Sequence, residues 1–437
     1  MDEILQILIL VIVPITNFFV IRHTKTWLNP LTIISVVFFL PLIFALSRLS
    51  ALQAEFWAYD TYAVILLTLI FWVLFPTIYL LLQKKHEHKE TRYQSDQPYL
   101  KSKAFELTAR WFALLVGSAY LLANYIQASS LLPFLQPELA VQIHAEFPPG
   151  IRLIARAGPA AIALLFVSFF YNRKKFDLVL MLCIFLIPLS RLSRIDPFIS
   201  GMMMLVLNGY FPLIKYRSRS IVIAICLAAV IGVVGLDLGN QRTNQFGRYE
   251  VKYEDAILWK PDVTGPLDVL PSLYGFFPLS FENFDVFVRT NKGNYTYGLQ
   301  SLDWLLTGVF KFNILRSFQE LKYSDLHYRP VSSGATVPTV LFPFYADFGA
   351  AGSAIPLFIY MLIWLEFFRR AARSPLFAVL FALSSGGFAL ATFQAVIVSP
   401  LLVQQLIEIA IIFFIVRHLA KKSDPRVLLE KSTVISG

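Results

Sequence analysis

Two arginines stand one helical turn apart in "FLIPLSRLSRIDPFISGMM" (185–203), between apolar runs that are each long enough to cross a bilayer. A charged side chain at membrane depth is costly and marks a functional site by default. Arg191 and Arg194 are three residues apart and so fall on one helix face. Their planar, five-donor guanidinium forks match the oxygens of a phosphate. Asp196 and Pro197 follow as a helix-start signal, since Asp suits an N-cap and Pro the first helical position. The spacing therefore predicts a tight hairpin. Arg191 sits about 20 Å along its helix, just below the membrane surface. The competing expectation is that both arginines snorkel to headgroups. Arg156, in "IRLIARAGPAA" (151–161), is either a third member of the same pocket or half of a structural ion pair.

More candidates follow. "GNQRTNQFGRYE" (239–250) supplies Arg242 and Arg248, and "FDVFVRTNKGNYTYG" (284–298) supplies Arg289, Asn291 and Tyr297, a mixture suited to sugar hydroxyls and ring faces. "SDLHYRPVSSGATVPTVLFPFYADFGAAG" (324–352) adds His327, Arg329, Tyr345 and Asp347. His327 is either a solvated loop residue or a base, and Asp347 either a base or the cap of the next helix. Pro338 and Pro343 interrupt an apolar stretch too short to span, which predicts a re-entrant or rim segment lining a cavity. Glu408 and Gln404 share a face of the last apolar run, as packing contacts or as part of the cavity. No metal-ligand set, phosphate-binding glycine loop or nucleophile elbow is present in the sequence, so no cofactor is expected.

The elements that must position these residues are membrane helices. Of the 437 residues 57% are hydrophobic, and the mean hydropathy is +0.63. Apolar runs of about 18 residues or more recur along the chain. They predict eleven spans, near 4–21, 29–48, 61–82, 105–127, 151–171, 177–193, 197–214, 220–237, 350–368, 376–398 and 401–418. The net charge of +10 is concentrated in clusters such as "NRKK" (172–175), "KYRSR" (215–219) and "RRAAR" (369–373) at one end of successive spans. That is the positive-inside pattern, not a nucleic-acid surface. It predicts an outside N-terminus and a cytosolic C-terminus. The first run opens on acids, so a span is expected there and not a cleaved signal. Cys183 and Cys226 lie inside apolar runs and are expected to be buried packing residues.

The domain plan is thus eight spans over 1–237, a large outer loop over 238–349, three spans over 350–420 and a cytosolic tail over 421–437. The loop is rich in aromatics and its charges balance, which predicts a folded cap at the membrane interface.

The arginine hairpin "LSRLSR" (189–194), the large outer loop after it and "SSGATVPTVLFPFYADFGAAGSAIPLF" (332–358) together resemble the bacterial oligosaccharide repeat-unit polymerases. This is the Wzy class, which builds O-antigen, enterobacterial common antigen and capsule chains. Tyr345-x-Asp347-Phe-Gly-x-x-Gly352 is the nearest match. The outer-loop R-x₁₅-G repeats of some members are absent, so no roles are carried over from them. The resemblance implies an all-α polytopic fold with GT-C-like glycosyltransferase architecture in the bacterial inner membrane. It also implies transfer between undecaprenyl-pyrophosphate-linked oligosaccharides, with membrane lipid and a chain-length regulator as partners. Arg191 and Arg194, with Arg242, would hold the pyrophosphate, while Asp347 or His327 would take the acceptor's proton. An O-antigen ligase and a lipid-linked oligosaccharide flippase are the alternatives.

Overall fold

The computed structural model describes residues 1–83, 97–133, 147–148, 151–191, 193, 195–213, 258–261, 274, 278–302, 305, 330–331, 338–392 and 396–423. Among these, every regular element is helical. The longer helices are α1 (Asp2–Thr24), α2 (Pro30–Leu46), α3 (Tyr59–Leu82), α4 (Lys103–Ala128), α5 (Arg152–Ala155), α6 (Gly158–Asn172), α7 (Lys175–Leu186), α8 (Ile195–Tyr210), α9 (Leu279–Thr290), α10 (Leu341–Gly352), α11 (Ala354–Ala371), α12 (Pro375–Phe388) and α13 (Pro400–Ser423). Four are long and apolar enough to cross a membrane: α1, α3, α4 and the Pro400–Leu419 part of α13. The pair α10–α11 passes the same test together, bent by 120°. Helices α2, α6 and α12 are apolar but shorter. The expected span at 220–237 lies outside the described residues.

Prolines explain where the helices depart from regular geometry. Both α2 and α3 contain a π turn, at Ser35–Phe39 and Ile70–Leu74, each ending two residues before a proline, Pro41 and Pro76. A proline removes one N–H from the ladder and crowds the carbonyl four residues back, and the helix widens to accommodate it. Behind Pro41 that carbonyl is Val37, and the Thr392 hydroxyl donates to it. In α7 the same effect ends the helix. Pro188 converts it to a 3₁₀ turn over Ile187–Arg191, so the continuous helix expected to 193 stops short. The expected span at 151–171 is likewise split, with α5 closing at Arg156 and α6 restarting with Pro159 in its first turn.

The chain forms two compact units. The first comprises Met1–Lys89, Ile225–Arg369 and Gly387–Val403, and the second Glu90–Ala224, Arg370–Gly386 and Gln404–Gly437. In the first unit α9 is fastened by buried carboxylates. Glu282 accepts from the Ala54 N–H (2.8 Å), Trp57 Nε1 (2.8 Å) and Arg48 (3.1 Å). Asp285 accepts from the Ala58 N–H and the Thr61 hydroxyl (both 2.6 Å) and from Arg289 Nε (2.5 Å). Nearby, the Tyr274 hydroxyl accepts from the Leu49 N–H and donates to Gln53 Oε1. Burial pushes the Tyr274 phenol up to about 12. The folded chain therefore keeps this proton when an unfolded tyrosine, near 10, has lost it. Stability from Tyr274 is complete below pH 10, falls as pH rises and is gone past about 12. Thermal unfolding in detergent between pH 9 and 12 should show this loss, on the order of 2 kcal/mol, and Tyr274→Phe should flatten it.

In the second unit α4, α6, α7 and α8 form an up-down bundle. Arg110 pairs with Asp177 (2.5 Å), Gly117 faces Ile184 and Asn124 bonds Ser190 (2.9 Å), so α4 and α7 run parallel. The Ser168 hydroxyl donates to Asp177 (2.8 Å) and Gly158 faces Ile184, so α6 runs opposite to both. Lys103, Arg110, Arg173, Lys174 and Lys175 thereby collect at one end of the bundle, away from Asn124, Arg156 and Arg191 at the other. Cys183 is exposed on α7 beside exposed Leu182 and Leu186, which corrects its expected burial. Apolar side chains occupy both faces of α7, so composition does not separate its exposed side from its packed side. Cys226 lies outside the described residues.

Candidate functional site

The 3₁₀ turn imposed by Pro188 swings Arg191 into the second unit instead of out to its surface. The side chain is 0% exposed, among the largest fully buried in the described residues. Its Nε donates to Asn124 Oδ1 at 2.5 Å. The amide of Asn124 is oriented in turn, because its Nδ2 donates to Ser190 Oγ and the Leu131 carbonyl, both at 2.9 Å. The guanidinium carbon lies 4.1 Å from the Phe147 ring centroid and 5.5 Å from that of Tyr120. Snorkelling to headgroups does not describe this geometry.

Arg156 reaches the same ring, 5.1 Å from the Phe147 centroid. It stands where α5 ends and α6 has not begun, and its carbonyl accepts from Gln405 Nε2 at 2.7 Å. A neighbouring hydrogen bond from Gln404 Nε2 to the Leu153 carbonyl (3.0 Å) fixes α13 against the same break, and Gln404 also bonds Glu408. Asp196, in the first turn of α8, is close enough for its charge to act on Arg156 and Tyr120. Asp196 also lines a pocket with Tyr120, Ser200, Gly117, Gly158 and Pro188. Its free volume is about 10 Å³, close to the least that holds one water. Among the described residues, two guanidiniums meet on one aromatic ring in a low-dielectric setting, with the Asp196 carboxylate near. Such a setting strengthens attraction for a multiply charged anion.

The remaining candidates have different surroundings. Arg194, Arg242, Arg248, His327 and Arg329 lie outside the described residues. Arg289, Asn291, Tyr297, Tyr345 and Asp347 belong to the first unit. Arg289 is half exposed, paired with Asp285 and bonded to the Phe56 carbonyl. Asn291 is 1% exposed and ends α9, its amide turned back to Phe287 O (3.3 Å) and Thr290 Oγ1 (3.0 Å). That geometry closes the helix end. Tyr297 is exposed. Tyr345 is buried against Phe284, Phe287 and Tyr295, with its hydroxyl 3.2 Å from Asp60 Oδ2.

Asp347 is a latch. Its carboxylate accepts from Thr296 Oγ1 (2.6 Å), the Gln300 N–H (2.9 Å), the Ser301 N–H (2.6 Å) and Ser301 Oγ (2.6 Å). These donors fill the roughly four lone-pair sites of a carboxylate. Asp347 thus ties the 296–301 turn to α10. Sequence reasoning singled out neither Asn124, Tyr120 and Phe147 nor the latches Glu282 and Asp285. A buried Asn in an apolar run and acids on an aromatic helix were the available signals. No family model, curated protein or solved structure matches the chain.

Proposed function

We propose that the chain is a membrane glycosyltransferase that polymerises undecaprenyl-pyrophosphate-linked oligosaccharide repeat units at the outer face of the bacterial inner membrane. The observation that carries this reading is the convergence of Arg156 and Arg191 on Phe147, from separate helices and at the bundle end opposite the basic cluster. Positive-inside topology puts the basic end in the cytosol and the arginine pair outside. In this reading the full chain has eleven spans, an outside N-terminus and a GT-C-like arrangement. A lipid pyrophosphate bears several charged oxygens that a planar guanidinium can bind two at a time, and paired guanidiniums stabilise the charge that grows on it as it departs. The oxygen–C1 bond to the acceptor sugar forms, the C1–phosphate oxygen bond breaks and the electron pair leaves with the pyrophosphate.

The test is a gel profile of surface and lipid-linked glycans from a host lacking the gene, with and without the wild-type chain. The reading expects single repeat units on the usual acceptor without the chain and a ladder once it is restored. Long polymer stranded on its carrier lipid would instead identify a ligase. Repeats retained on the cytosolic side would identify a flippase.

A further inference from the structure

Resting on the transferase reading, we propose that Asp196 is the group that takes the proton from the attacking sugar hydroxyl. Asp347, the carboxylate favoured by sequence, is saturated by four donors, and His327 lies outside the described residues. Asp196 is different in surroundings. It opens α8 beside Arg156, next to the rings that carry Arg191, and lines a pocket with room for a single water oxygen, so a proton can reach it through one water. Ser200, one turn further along α8, lines the same pocket and is 2% exposed. A base must lie within hydrogen-bond reach of the proton it removes and near the charge that develops as the bond breaks. The charged and titratable groups facing Asp196 are Arg156 after α5 and Tyr120 on α4, with Arg191 acting on both. The pocket residues from α6 and α7 are apolar or glycine.

The step balances without another reactant. The acceptor oxygen bonds to the anomeric carbon, its proton passes through one water to Asp196 Oδ, and the pyrophosphate departs with the bonding pair. The proton then passes from Asp196 to water as product leaves, and the charge of Arg156 beside it favours the ionised carboxylate.

The experiment uses the purified full chain with the host's own undecaprenyl-pyrophosphate-linked oligosaccharide, comparing wild type, Asp196→Asn and Asp196→Glu. Asp196→Asn should lower kcat about 10²- to 10⁴-fold, with binding of undecaprenyl pyrophosphate within about threefold. The acid limb of the kcat/KM pH profile should vanish with it, and Asp196→Glu should restore part of both. Asp196→Asn turning over at the wild-type rate would overturn the assignment. So would a loss confined to KM and lipid-pyrophosphate affinity with an unchanged pH profile, which would make Asp196 only a support for Arg156. If wild type itself extends no glycan, the transferase reading fails, and the base assignment with it.

Discussion

Gly349→Ala is expected to lower the unfolding free energy by on the order of 2–4 kcal/mol, seen as a fall in melting temperature of the detergent-solubilised chain. Gly349 has φ 66° and ψ −169°, a backbone region essentially closed to residues with a Cβ. A Cβ there would also lie 2.6 Å from the Tyr295 hydroxyl and 2.7 Å from its Cζ. The residue sits two positions after Asp347, just before the 120° bend between α10 and α11. Strain at this point therefore loosens the turn that Asp347 holds. Tyr295→Ala added to Gly349→Ala should recover the clash but not the dihedral cost, so rescue should be partial. Gly201→Ala is the control: Gly201 lies within α8 with nothing within 4 Å of a new Cβ. That change should be neutral, or stabilising by up to about 1 kcal/mol. Equal behaviour of the two alanines would refute the strained break.

Arg191→Lys should abolish the glycan ladder, a loss of about 10²-fold or more, although charge is conserved. An ammonium cannot lie flat on Phe147 and present a planar fork, and it reaches Asn124 Oδ1 as a point donor only. Burial complicates the alanine variant, which would strip Asn124 of its donor and open a cavity. Arg191→Met fills similar volume without charge, so it removes the cavity but still leaves Asn124 Oδ1 without its donor. We expect Arg191→Met to fold with a stability loss of about 1–3 kcal/mol and to form no ladder. A full ladder from either variant would show that Arg191 serves packing alone.

Much of this was legible along the chain. Apolar runs marked the helices, but the spans read from them ran straight through Pro41, Pro76, Pro159 and Pro188, where the helices widen, restart or tighten. Charge inside an apolar run also flagged Arg191 and Arg156 as unusual. Tertiary structure decided what those residues do. Arg191 turns inward because a 3₁₀ turn aims it at Asn124, 67 residues away in sequence. Asp347 became a latch because its donors come from a turn 46 to 51 residues earlier. Cys183 faces outward although its helix is apolar on both faces, since Ile184 packs inward beside it. Periodicity records which residues are alike along one helix. Which side meets a partner, and which polar atoms meet there, is fixed only when distant segments pack and each buried donor must find its acceptor.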